Sequence, residues 1–193
     1  EANNASGSGF SHAVYVGGGD NSVFRNNRFI RNSVAPSGLC TGGSLTLHGQ
    51  MTGILVEGNT FEQTAGDQGC WQISITQGYT GAEWFRNLVV RGNTVINGGN
   101  SGMVIQSAPG ALVENNRIFN TQTVIPQTAI VVGGGDYTGG DDPDTGAIVR
   151  NNTACYTAPA SGSGVTRINS SGAAVSSNAL VTGSAATSGV CAR

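Results

Sequence analysis

Two stretches of the chain, residues 77–86 and 133–145, gather aromatic and acidic side chains of the kinds that sugar chemistry needs. The first holds Tyr79, Glu83, Trp84 and Phe85; the second holds Asp136, Tyr137, Asp141, Asp142 and Asp144. Five of the chain's 11 acidic residues therefore lie in these two stretches. An aromatic ring takes the C–H face of a sugar, while a carboxyl group takes its hydroxyls or moves a proton. Glycoside hydrolysis needs two carboxyl groups about 5 to 9.5 Å apart. Glu83 facing Asp141, Asp142 or Asp144 would supply them, with Tyr79, Trp84 and Tyr137 as sugar contacts. The run GGDDPDTG also offers clustered hard oxygens, which makes Asp141, Asp142 and Asp144 candidate calcium ligands. Its spacing is not that of an EF-hand, and a solvated acidic loop is the third reading. His48 is a further candidate base and sugar contact, although a lone histidine is more often structural.

The elements that must position these residues are strands. The chain has 193 residues, 31 of them glycine, a net charge of −2 and no lysine. Good helix formers are scarce; Gly, Asn, Thr, Ser and Val take their place, so an all-β fold is expected. A hydrophobic share of 38% fills the core of a single domain spanning residues 1–193. Near-balanced charge excludes the basic face of a nucleic-acid binder. No apolar run reaches the roughly 20 residues of a spanning helix, so no membrane insertion is expected.

Six segments share one plan, anchored at Asn27, Asn59, Asn93, Asn116, Asn152 and Asn178. Three residues before each anchor stand Phe24, Val56, Val90, Val113, Val149 and Val175. Two residues after it stand Phe29, Phe61, Val95, Ile118, Ala154 and Leu180. These columns alternate with outward positions, as strands of period two require. The anchors are unevenly spaced while the frame holds, which means fixed strands joined by variable loops in a solenoid of about six coils, from about residue 10 to 185. The anchor asparagine is placed at a bend, because Asn tolerates the left-handed conformation and stacked amides bond from coil to coil in an Asn ladder.

The repeated V-x-x-N-x-[FIV] frame resembles the right-handed parallel β-helix of the pectin-lyase-like superfamily, over nearly the whole chain. That group includes polysaccharide lyases, endo-glycosidases, uronan epimerases and phage tailspikes, so the resemblance implies architecture more firmly than activity. Its lyases typically use a Lys or Arg base with bound calcium; without lysine, the Arg-dependent variants remain open. The expectation is a carbohydrate-active protein binding an extracellular polysaccharide or glycan and cleaving it by hydrolysis rather than by lyase chemistry. The alternative is a non-catalytic glycan-binding or structural module of a tailspike or cell-surface assembly.

On this frame the loops between first and second strands are long only in the third and fifth coils, at residues 77–86 and 133–145. They form two walls about a short floor at residues 107–110, and the site is expected between them. A polar outer face on the first strands, with Tyr15, Thr46, His48, Gln72, Ser74, Thr76, Gln106, Arg167 and Asn169, is the other candidate surface. Here His48, Gln72 and Gln106 are the expected sugar contacts. An outward apolar stripe, Val23, Leu55, Val89, Leu112 and Ile148, points to a neighbouring domain or another subunit, and trimers are common among the tailspikes. The outward row Arg25, Glu57, Arg91, Glu114, Arg150 alternates in sign and reads as registry. Cys40 with Cys70 and Cys155 with Cys191 fall close enough on stacked coils to pair. Two disulfides imply an oxidising compartment: extracellular, periplasmic, or a virion or cell surface. The polar residues 1–9 cannot cap an apolar coil, so a fragment of a larger protein is one expectation.

Overall fold

In the computed structural model, which describes residues 10, 12–33, 37, 41–63, 69–123, 125–157 and 164–193, short strands stack into three parallel sheets. The first sheet runs Val14–Val16, Thr41–Leu47, Gly69–Ile75, Ser101–Ile105, Thr128–Gly133, Gly164–Asn169. The second places Gly19–Asp20 and Val23–Arg25 on Gln50–Glu57, followed by Trp84–Arg91, Leu112–Glu114, Ile148–Arg150 and Ala174–Ser176. The third runs Arg28–Ile30, Thr60–Glu62, Thr94–Ile96, Arg117–Asn120, Thr153–Tyr156, Ala179–Thr182. Each strand pairs with its counterpart one repeat away, so the architecture is an all-β parallel solenoid.

Registers follow the sequence columns. Val56, Val90, Val113 and Val149 are adjacent partners and fully buried. Phe61, Val95, Ile118 and Ala154 form a second such row, with Phe29 stacked on Phe61 at 4.6 Å. Burying a side chain of this kind contributes about 1.5–3 kcal/mol. The core thins at the last strands, where Val175 and Leu180 are 48% and 42% exposed.

The anchor asparagines bond in series. Each donates its backbone N–H and its Nδ2 to the Oδ1 of the next, from Asn27 to Asn178, at 2.9–3.0 Å. From Asn59 onward, Nδ2 also donates to a carbonyl of the preceding repeat, as Asn93 does to Val56. These buried amides are thereby satisfied. The bend is not at the anchor itself: the left-handed residues are those just before it, Asn26, Gly58, Gly92, Asn115, Asn151 and Ser177. The anchor needs an ordinary backbone because its own N–H must point along the column.

Outside, Val23, Leu55, Val89, Leu112 and Ile148 share one row of the second sheet, beside the ion-paired row of Arg25, Glu57 and Arg91, and of Glu114 and Arg150. At the end of the chain, two short 3-10 helices, Gly183–Thr187 and Gly189–Cys191, lie on the third sheet over Ile96 and Phe119. A disulfide joins Cys155 to Cys191, as the sequence predicts. Cys70 is fully buried, and Cys40, its expected partner, lies outside the described residues. Among the described residues no helix is long and apolar enough to cross a membrane.

Candidate functional site

The two long loops face each other across a groove of about 380 Å³, lined by residues 77–79, Gln106 and residues 134–136, and beside it they are tied to each other above the short turn at residues 107–110. Asp141 accepts from Gln77 Nε2 at 2.8 Å and from the Glu83 N–H at 2.6 Å. The Asp142 N–H donates to the Glu83 carbonyl at 3.1 Å, and the Asp142 carboxylate takes Arg86 at 2.7 Å. The Asp136 N–H donates to Gln77 Oε1. Polar loop groups lying over a low turn satisfy one another sooner than they stay apart.

The expected catalytic carboxylates are consumed by this bonding. Glu83 is fully buried; one oxygen accepts from the Gly49 N–H, and the other from the N–H groups of Gly78 and Tyr79. Asp144, also buried, accepts from the N–H groups of Ser107 and Ala108 and from the Tyr137 hydroxyl. Burial pushes the Asp144 carboxyl up from its ordinary value, against the pull of those bonds, and pushes the Tyr137 hydroxyl up to about 12. A general acid must reach a leaving group, and neither Glu83 nor Asp141 nor Asp144 is presented to one. Asp142 is tied to Arg86, whose guanidinium also stacks 4.4 Å from the Trp84 ring centre, so Trp84 is no free sugar platform. Nor do the carboxylates suit calcium: Asp141, Asp142 and Asp144 turn to three different sets of donors. Among the described residues no group of three or more His, Cys, Asp and Glu side chains converges to hold a metal.

The larger opening lies on the outer face of the first sheet. A cleft of about 570 Å³ is lined by Phe10, His12, Tyr15, Thr46, His48, Trp71, Ser74, Thr76, Gln77 and Tyr79, with glycines between. Four rings run in sequence: His12 stacks on Tyr15 at 5.5 Å, Tyr15 meets His48 at 5.4 Å, and His48 meets Tyr79 at 5.7 Å. Trp71, 37% exposed, stands at the other end with its indole N–H on Asn100 at 2.8 Å.

Local sequence explains the placement. Tyr15, Thr46 and Ser74 are cross-strand partners in one row. His12 Nδ1 accepts the Gly43 N–H at 3.1 Å and sits 3.0 Å from Thr46 Oγ1, so its proton is on Nε2. His48 Nδ1 contacts the Thr76 carbonyl, which only accepts, so here Nδ1 carries the proton. Gly78 has no side chain for a reason: a Cβ there would fall 2.6 Å from the His48 ring. Burial chiefly, then the neighbouring His48, lowers the pKa of His12, and desolvation and the bond with Tyr79 raise the Tyr15 hydroxyl to about 12.

Of the expected sugar contacts, His48 and Tyr79 line this cleft. Gln106 lines the second groove, the one between the loops, which shares Gln77, Gly78 and Tyr79 with it. Tyr137 is held on Asp144 beside that groove. Gln72 is not a surface residue: it is fully buried and accepts from Ser44 and Gln63. Cross-strand pairing skips Gln72 on both sides, which marks a bend where two successive residues, Gln72 and Ile73, point inward. The same bend turns Trp71 outward, although strict alternation places it with Ile73 in the core. His12, Tyr15 and Trp71 are thus the site residues that loop length did not reveal.

A family model described as a right handed beta helix region matches residues 1–192. The chain belongs to that family. Comparison with curated proteins and with solved structures gives no match. For a right-handed β-helix protein the site's own chemistry must carry the functional argument, since the scaffold hosts carbohydrate-active and structural roles alike.

Proposed function

We propose that this β-helix protein is a carbohydrate-binding protein that takes a glycan in the aromatic cleft of the first sheet. The single observation that carries the reading is the set of exposed rings, Tyr15, Tyr79 and Trp71, that line one concavity together with the imidazoles of His12 and His48. Rings offer flat apolar faces for sugar C–H groups, and hydroxyls and imidazoles offer directional bonds to sugar hydroxyls. Binding is favoured over hydrolysis because Glu83, Asp141 and Asp144 spend their oxygens on the chain's own donors. Lyase chemistry has no arginine base in the cleft to draw on. The Cys155–Cys191 bond is consistent with an extracellular setting.

Glycan-array binding followed by calorimetry tests the reading. Trp71→Ala should weaken the bound glycan by at least about fivefold, as loss of an aromatic anchor does, while Trp84→Ala should leave affinity unchanged. Loss with Trp84→Ala and none with Trp71→Ala, both variants folded, would return the site to the long loops.

A further inference from the structure

Resting on that reading, we infer that the cleft selects an uncharged oligosaccharide and rejects uronates and sulfated glycans. There is no lysine, and none of the nine arginines lines either groove. Arg25, Arg91 and Arg150 are paired with glutamates on the second sheet, and Arg86 is held by Asp142. Arg117 and Arg193 lie over Phe119 on the third sheet, which carries Arg28 at its edge with Arg31 just beyond. Arg167 alone shares a row with the cleft. From Ser74 that row passes through Val104 and Val131 before reaching it, three strands on. At about 4.8 Å per strand this is roughly 14 Å from Ser74, beyond a Debye length; the second groove lies nearer to Arg167, since Gly133, next to that groove's Gly134, pairs with Asn169 two residues further along the same strand.

The charge that is present has the wrong sign for an anion. The second groove, continuous with the cleft through Gln77, Gly78 and Tyr79, carries the exposed carboxylate of Asp136. A carboxylated or sulfated sugar entering there would lose water from its anionic group, find no cation in the lining, and meet a like charge. A neutral sugar has none of these costs, because the lining offers what it needs: ring faces, hydroxyls, imidazoles and the amides of Gln77 and Gln106. Length argues for a chain over a monosaccharide. From Trp71 to Ile75 the strand covers about 13 Å at 3.3 Å per residue, and the lining runs on through Thr76 and Gln77 to the Tyr79 ring.

The test is titration at pH 7.5 with neutral oligosaccharides of glucose, xylose, mannose and galactose, beside oligogalacturonate and sulfated galactan, in low and high salt. Each is run on the wild-type protein, Trp71→Ala and Tyr79→Ala. The expected result is binding of a neutral oligosaccharide with little salt dependence, weakened at least about fivefold in either variant. Binding of an anionic glycan that fades with salt and is weakened in both variants would overturn the neutral assignment and keep the cleft as the site. Binding of any glycan that both folded variants leave unchanged would overturn the cleft itself, and so would no binding across the panel.

Discussion

The hydroxyls of Tyr15 and Tyr79, 64 residues apart in sequence, lie 2.6 Å from each other and bridge the first strand to the loop after the third. Each ring is 47% exposed, so the bond holds two open platforms at a fixed angle. Desolvation and this bond raise the Tyr15 hydroxyl to about 12. Tyr15→Phe keeps the ring and removes the bond. Glycan affinity should fall by a few fold, near the value of one hydrogen bond at about 0.5–1.5 kcal/mol. A double-mutant cycle with Tyr79→Phe should show the second change costing little once the first is made. Additive losses would mean that each hydroxyl bonds the ligand independently.

Glu83→Gln separates a structural carboxylate from a catalytic one. Glu83 receives three backbone N–H groups in a buried setting, and an amide nitrogen turned toward any of them places donor against donor. The expected loss is about 1–3 kcal/mol of unfolding free energy, read from urea titration. Asp144→Asn should behave similarly, because Asp144 serves Ser107, Ala108 and Tyr137 in the same way. A Glu83→Gln protein of wild-type stability that had lost a hydrolytic activity would restore the acid–base role.

The strand frame was legible because burial imposes a column on every repeat: a valine three before the anchor and an apolar residue two after it recur whatever the loops do. The burial of Glu83 and Asp144 is not legible in the sequence, for a reason equally physical. Sequence shows that a loop is long and acidic, but not whether its carboxylates meet solvent or the loop's own N–H groups. Gln72 reads as an outward position because alternation assumes a straight strand, and the bend beside Ser44 and Gln72 turns it inward. Tyr15 and His48 were visible as outward polar positions, yet nothing in their spacing announced that their rings would meet at 5.4 Å.

The segment fixed by Cys155–Cys191 should be a strap. Its Ala186 and Cys191 are buried against Ile96 and Phe119, with Arg117 donating to the Ala192 carbonyl. Replacing both cysteines with serine opens a closure spanning 36 residues, for which a loss of about 2–4 kcal/mol is expected. Hydrogen exchange should rise over residues 183–193 and along the outer face of the third sheet, with the cleft unaffected. Glycan affinity that fell with the disulfide would contradict this separation of strap and site.

His12 sets the pH dependence of the cleft end of the solenoid. Its ring is neutral where it accepts the Gly43 N–H, and burial, helped by His48, holds its pKa below the ordinary 6.5. Between 6.5 and the lowered folded value the unfolded chain binds more protons than the folded one, so stability rises with pH in that window. The contribution is complete above 6.5, declines as pH falls, and is lost below the folded value. Asp144 works in the opposite sense further into acid, because burial raises its carboxyl and its protonation relieves that cost. The comparison must therefore be a difference between two proteins. His12→Gln retains an acceptor for Gly43 without a titrating group. Urea midpoints between about pH 8 and pH 5 should fall more steeply for the wild-type protein than for this variant. Glycan affinity should follow the same difference, since His12 stacks on Tyr15. Parallel stability curves for the two proteins would show that His12 is charged without penalty and does not hold the cleft together.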